Sequence, residues 1–192
     1  MGLVDNGTNT KFNIPCDYCF YDLFSESTGI TNVSKNFLPA TTLADYCYQS
    51  MFVGCASLTQ APELPAKTLA KSCYESMFHD CSNLTTAPVL SATSLAGNCY
   101  DSMFFGCSSL TTAPDLPATT LADYCYSYMF FGCNSLTSIR IGFSGNYDKF
   151  HFGNWVNGVS SSGTFYYKGS DTLVNFGFPT GEGTNWTINQ DW

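Results

Sequence analysis

The chain has few positive charges and no long hydrophobic run. Of its 192 residues only seven are Lys or Arg, against fifteen Asp or Glu, and the formal net charge is −8. The basic residues stand singly, so no stripe of positive charge is available to neutralise phosphates. We therefore expect no nucleic-acid partner.

Membrane and export signals are also lacking. No stretch approaches the roughly 18 consecutive apolar residues of a membrane-spanning helix. The opening MGLVDNGTNTKFN has neither the basic nor the apolar region of a signal peptide. We expect no membrane span and no signal peptide in this chain. The expected location is the cell surface, the extracellular space or a virion.

Repetition is what the sequence has in abundance. The stretch TTLADYCYQSMFVGCASLTQAPELPA, at 41–66, returns three more times with a period of 26 residues, since 73 − 47 = 26. A fixed period of this size indicates a stack of structural repeats. The anchor residues are Cys47, Cys73, Cys99 and Cys125; Cys55, Cys81, Cys107 and Cys133; and Met51, Met77, Met103 and Met129.

The repeats divide the chain into four parts. Residues 1–15 form a polar lead-in, 16–40 a degenerate capping repeat, 41–141 the repeat array and 142–192 a C-terminal cap. In the capping repeat Ser27 replaces the second cysteine, and two extra residues precede Leu43. An atypical first repeat is expected where one face of the stack meets water.

Each full repeat contains a helix-like and a strand-like part. Leu43, Cys47 and Met51 are spaced i, i+4 and i+8, which predicts one face of a short helix. The segment 58–61 predicts a short strand with Leu58 and Ala61 inward, ended by Pro62 because proline lacks an N–H. Two further strands are predicted in the cap, at 164–168 and 186–189.

Together these parts predict an α/β repeat solenoid. In this interpretation a short leucine-rich-repeat array has a parallel β-sheet on one face and short helices on the other, followed by a β-rich C-terminal cap.

The repeat core resembles a known family. It reads Met51-Phe52, Cys55 and Leu58-Thr59 in the first full copy, and three copies add Ala-Pro-x-Leu. This pattern is similar to the BspA-like leucine-rich repeats of surface and virion-associated proteins of gut and oral anaerobes and their phages. The closing GNWVNGVSSSGTFYY looks like the end that often follows such arrays. The resemblance implies a right-handed solenoid and a role in adhesion or protein binding.

The residues of catalytic type form no recurring constellation. Eight cysteines fall in the two ladders, where free buried thiols are expected, and Cys19 extends the first ladder. Cys16 and Cys19 form a C-x-x-C, for which redox or metal use is the alternative interpretation. His79 stands where other copies have apolar residues, and we do not expect it to form a catalytic pair with Cys81. We predict no enzyme, no cofactor and no metal site.

A polar strand face is the candidate binding surface. Where these side chains point outward, they form a flat band of hydroxyls and amides bordered by prolines. The alternative is that Thr simply suits exposed strand positions. The candidate residues are Thr59, Gln60, Thr85, Thr86, Thr111, Thr112, Thr137 and Ser138.

A second candidate surface is aromatic. Its rings either form a contact surface for a protein or glycan, or pack as outer core. They comprise the ladder Tyr48, Tyr74, Tyr100 and Tyr126, joined by Tyr46, Tyr124, Tyr128, Phe105 and Phe131.

These surfaces favour a non-enzymatic binding or adhesion module that recognises a protein or glycan. The alternative is a structural or decoration component of a larger assembly such as a phage virion, which would dock onto partner proteins through its cap.

Overall fold

The computed structural model describes residues 12–144, 150–167 and 184–190. Its strands are short, and all of them pair in parallel. A two-stranded sheet joins β1 to β2, and a three-stranded sheet has the order β3-β4-β5. The strands are β1 Phe12–Asn13, β2 Ala40–Thr42, β3 Ser138–Arg140, β4 Ser162–Tyr166 and β5 Asn185–Asn189.

The predicted α/β leucine-rich-repeat solenoid is wrong, because the described residues contain no helix. Each predicted helix is instead a run of consecutive turns, which we call a turn segment. We number the repeat copies by these segments. Turn segments 1 to 6 are 16–26, 45–54, 71–80, 97–106, 123–132 and 150–158.

Left-handed residues explain why these segments are not helical. In turn segment 2, Tyr46, Ser50 and Gly54 have φ of 58°, 59° and 67°. An α-helix needs φ near −63° at every residue. A left-handed residue at every fourth position gives a period of four, and this period places Cys47 and Met51 on one side as a helix would. The i, i+4 spacing of apolar residues is therefore compatible with this turn geometry as well as with a helix.

Backbone hydrogen bonds in the turn segments alternate between two partners. The N–H groups of Met51 and Val53 donate within the segment, to the carbonyls of Tyr48 and Ser50. Those of Ser50 and Phe52 donate to the next copy, to the carbonyls of Glu75 and Met77, at 2.9 and 3.0 Å. Each copy is therefore bonded to the next along the whole segment, and its backbone groups are satisfied without a helix or sheet.

The core consists of side-chain ladders inside this stack. Tyr48 and its equivalents stack with centroids 5.9 to 6.1 Å apart, and Phe52 and its equivalents with centroids 5.7 to 5.8 Å apart. The cysteines and methionines of the array are also buried. Burial of one apolar layer on the next is the main stabilising contribution expected in such a stack.

The second cysteine ladder has a polar role as well. The thiol of Cys55 donates to the carbonyl of Phe24 in the preceding copy at 3.1 Å, and Cys81, Cys107 and Cys133 repeat this bond. Copy 1 has no preceding copy within the described residues, so a thiol there would lack this acceptor.

The strand predicted at 58–61 is also wrong, because the array forms only isolated parallel bridges there. Leu58 and Ala61 are buried, as predicted. In the cap, β4 and β5 overlap both predicted strands, although Lys168 lies outside the described residues. The bridges are Thr42↔Thr68, Gln60↔Thr86, Ser94↔Thr120, Thr112↔Ser138 and Leu116↔Ile141.

The stack continues past residue 141. The N–H of Phe130 donates to the carbonyl of Trp155, the same offset of 25 that joins Phe52 to Met77. At the other end the N–H of Tyr18 donates to the carbonyl of Asp45. This offset of 27 is two longer than the offset of 25 in the array, because copy 1 has two extra residues. Residues 1–11 of the predicted lead-in lie outside the described residues, as do 145–149, 168–183 and 191–192 of the predicted cap.

Within the described ranges, the protein contains no helix whose length and hydropathy would let it span a bilayer.

Candidate binding faces

The eight residues predicted as a binding band lie together on one side of the stack, which we call the threonine face. All are exposed except Ser138, which is half-buried. Parallel bridges join Gln60 to Thr86 and Thr112 to Ser138 across neighbouring copies. The repeat period therefore brings these side chains into adjacent rows, as the sequence analysis expected.

Some threonines of the threonine face form hydrogen bonds between copies. The hydroxyls of Thr59, Thr85 and Thr137 donate to carbonyls of the preceding copy at 3.1 to 3.2 Å. These hydroxyls help to hold the copies together, so the row they form has less hydrogen-bonding capacity left for a ligand.

The centre of the threonine face has an open seam between copies 3 and 4. Thr85 and Thr137 donate backbone N–H groups to the preceding copy, and Ala61 and Ala113 donate to the following one. Within the described range 12–144, the Thr111 N–H does not donate to the Thr85 carbonyl, and the Ala87 N–H does not donate to the Thr112 carbonyl. In that range the Thr111 hydroxyl also lacks the bond to the preceding copy that the Thr85 hydroxyl makes. Copies 3 and 4 therefore lack, at this point of the face, the backbone hydrogen bonds that join the neighbouring copies.

An exposed apolar side chain lies beside the seam. Val89 is 72% exposed, the highest value among the large hydrophobic residues described. Its equivalents in the neighbouring copies are carboxylates. Glu63 pairs with Lys35 at 2.8 Å and Asp115 with Arg140 at 3.3 Å. Val89 is thus an uncharged position between two ion pairs.

A second row of hydroxyls was missed by the sequence analysis. Its residues lie just before the turn segments. The same 26-residue period could have revealed them in the sequence. The parallel bridges Thr42↔Thr68 and Ser94↔Thr120 join it, and these four residues are exposed.

The opposite side of the stack, formed by the outward residues of the turn segments, is the turn face. The predicted ladder of Tyr48, Tyr74, Tyr100 and Tyr126 does not belong to it, because these rings are only 1 to 2% exposed. Tyr46, Phe105 and Phe131 are half-buried, while Tyr124 and Tyr128 are exposed. The aromatic residues therefore divide into an inner core ladder and an outer contact surface.

A polar cluster occupies the middle of the turn face. Asn98 and Ser102 donate to the carboxylate of Asp101 at 3.2 and 2.7 Å. Burial raises the pKa of Asp101 above its ordinary value, and the nearby charge of Glu75 raises it further. The cluster is rich in acceptor oxygens.

The cysteines show two different states. Cys16 and Cys19 form a disulfide, so Cys19 does not extend the ladder as a free thiol. The eight predicted ladder cysteines are free and buried, which confirms that expectation. Burial raises the pKa of Cys47 to about 11 and that of Cys125 to about 12. Thiols of this kind are poor nucleophiles at neutral pH.

His79 stacks on Phe105 at 4.4 Å and lies 3.2 Å from the carboxylate of Asp80. The thiol of Cys81 donates to the Phe52 carbonyl instead of to this imidazole. In the part of the chain that the structure describes, no group of three or more metal-ligating side chains is found. The absence of enzymatic activity remains a prediction.

Comparison with known proteins gives no functional assignment. The chain matches no protein-family model, and searches of the curated proteins and of the solved structures returned no similar protein. The resemblance to BspA-like repeats therefore remains a prediction.

Proposed function

We propose that the protein is a non-enzymatic binding module, and that its threonine face recognises an extended segment of a partner protein. The observation behind this proposal is the set of exposed polar side chains that parallel bridges align across neighbouring copies. Hydroxyls and amides in such rows can hydrogen-bond to the backbone of an extended polypeptide lying across them.

The surroundings of the seam support the same kind of partner. Val89 provides an apolar contact at the centre, and interface energy is concentrated in such central contacts. The flanking carboxylates are paired with cations, so this region does not present a strong single-sign charge. Gln60 and Thr86 extend the hydrogen-bonding surface along the stack.

The proposal is tested by surface plasmon resonance against immobilised fibronectin, fibrinogen, laminin and collagen. We expect saturable binding of the purified chain to at least one of them. Val89→Asp should weaken it at least tenfold, because it places a third carboxylate between Glu63 and Asp115. Thr112→Ala should weaken it several-fold.

Ser94→Ala is the matched control for Thr112→Ala, because both residues are exposed hydroxyls in a parallel bridge. It should leave binding unchanged. A chain that binds none of these proteins and forms a defined oligomer by light scattering would contradict the proposal and favour the assembly component.

A further inference from the structure

The turn face has bulky residues where the backbone favours small ones. Tyr18, Tyr46, Tyr124 and Tyr128 are all left-handed, with φ between 51° and 58°. The left-handed conformation costs an L-residue about 1–2 kcal/mol, and it is rarer for bulky side chains than for Gly, Asn or Asp. The other copies fill the same positions with Ser50, Ser72, Ser76, Asn98, Ser102 and Asn154.

Core packing does not account for three of these tyrosines. Tyr18 is 53% exposed, Tyr124 44% and Tyr128 39%. A serine or asparagine in the same position fits the same backbone in neighbouring copies. Bulky left-handed residues that contribute little to the core are the kind of outlier from which a functional role is inferred.

The tyrosines form two platforms at the ends of the turn face. Tyr18 stacks on Tyr46 at 4.5 Å with the ring planes only 3° apart. In copies 5 and 6, Tyr124 contacts Phe150, and Asn154 donates a hydrogen bond to the Tyr128 hydroxyl at 3.2 Å. Rings in adjacent copies are 4.5 Å apart at Tyr18 and Tyr46 and 5.9 to 6.1 Å apart in the buried tyrosine ladder, so three steps separate Tyr46 from Tyr124 by roughly 14 to 18 Å.

Part of the floor between the platforms is polar, beside the stacked rings of His79 and Phe105. Asn98, Asp101 and Ser102 lie there with Glu75 beside them. Two neighbouring carboxylates disfavour an anionic ligand and favour one that donates O–H hydrogen bonds.

The backbone of the turn face is closed to strand addition. In copy 4 the N–H groups of Asn98, Tyr100 and Ser102 donate to copy 5, and those of Asp101 and Met103 donate within the segment. A ligand of this face must therefore be recognised by side chains. Exposed tyrosine side chains and acceptor oxygens suit the C–H groups and hydroxyls of a sugar chain.

From these observations we propose that the turn face is a second binding site, which takes a linear neutral oligosaccharide lying along the stack. Its sugar rings contact the tyrosine platforms at both ends, and its hydroxyls donate to Asp101 and Glu75 in the middle. This site is separate from the threonine face and does not depend on a protein partner.

The test is isothermal titration calorimetry with maltohexaose, cellohexaose, laminarihexaose and chitohexaose, with a heparin hexasaccharide as the anionic comparison. We expect at least one neutral hexasaccharide to bind and heparin not to bind. Tyr124→Asn with Tyr128→Asn should reduce the affinity at least tenfold, and Thr112→Ala on the other face should not change it.

Asparagine is the matched substitution, because Asn98 and Asn154 occupy the same two positions in copies 4 and 6. The thermal midpoint of the double variant should equal or exceed that of the wild type. Absence of binding by all four neutral sugars, unchanged affinity in the double variant or a clear loss of thermal stability would each overturn the proposal.

Discussion

The two faces of the stack differ in where their backbone hydrogen bonds go. On the turn face every N–H from Asn98 to Cys107 has a partner, either three residues back or in the next copy. On the threonine face the copies are joined by isolated bridges, and one seam is open. The turn segments therefore carry a continuous set of backbone hydrogen bonds between copies, while the threonine face carries fewer of them.

The two proposed binding surfaces differ in the same way. On the threonine face, hydroxyls such as that of Thr85 join the copies and also belong to the proposed surface. On the turn face the backbone joins the copies, and side chains form the proposed surface.

The largest expected effect tests which side stabilises the stack. Phe104 lies behind the turn face and stacks on Phe78 and Phe130 at 5.7 and 5.8 Å. Leu110 lies behind the threonine face, and both side chains are fully buried. Phe104→Ala should cost about 3–5 kcal/mol, more than Leu110→Ala, because it also removes two ring stacks. Urea unfolding measures both values, and an equal or larger cost at Leu110 would contradict the comparison.

A smaller effect tests the left-handed backbone of the turn face. Gly132 has φ of 74°, and a Cβ added there would meet nothing closer than 3.7 Å. Gly132→Ala should therefore isolate the conformational cost, about 1–2 kcal/mol. Gly97→Ala is the control, because its Cβ would make an ordinary 3.7 Å contact and its φ is not left-handed. Thermal unfolding should show a lower midpoint for Gly132→Ala alone, and equal midpoints would argue against the turn geometry.

The smallest effect distinguishes the seam from the rest of the threonine face. The Thr85 hydroxyl donates to the Thr59 carbonyl at 3.1 Å, whereas the Thr111 hydroxyl has no such bond within the described range 12–144. Thr85→Val should cost about 1 kcal/mol and Thr111→Val about zero in chemical denaturation. Equal costs for the two near-isosteric changes would mean that the seam is closed in solution.

The repeat, its period and its buried positions could be predicted from the sequence. Cys47, Met51, Leu58 and Ala61 point inward as expected, because burial follows from apolar periodicity alone. The helix could not be predicted correctly, since a four-residue turn period and a helix place Cys47 and Met51 on the same side. The left-handed positions carried a weak signal, because Gly and Asn occupy only some of them.

The threonine face could be located from the sequence, but its centre could not. The open seam arises because Thr111 does not form the hydrogen bond to the preceding copy that Thr85 forms, although both residues have the same flanking Leu and Thr. The division of the aromatic residues between core and surface could not be predicted from the sequence either. Tyr46 and Tyr48 are two residues apart, yet only Tyr48 is fully buried.

The backbone-to-backbone hydrogen bonds between turn segments all run in one direction, from the N–H of one copy to the carbonyl of the next. In copy 1 the carbonyls equivalent to the acceptors Glu75 and Met77 belong to Tyr21 and Leu23, and no described residue donates to them. An ordinary strand edge offers donors and acceptors alternately and can pair with its own kind. Within the described residues, the turn segments therefore have a direction along the stack that a strand edge lacks.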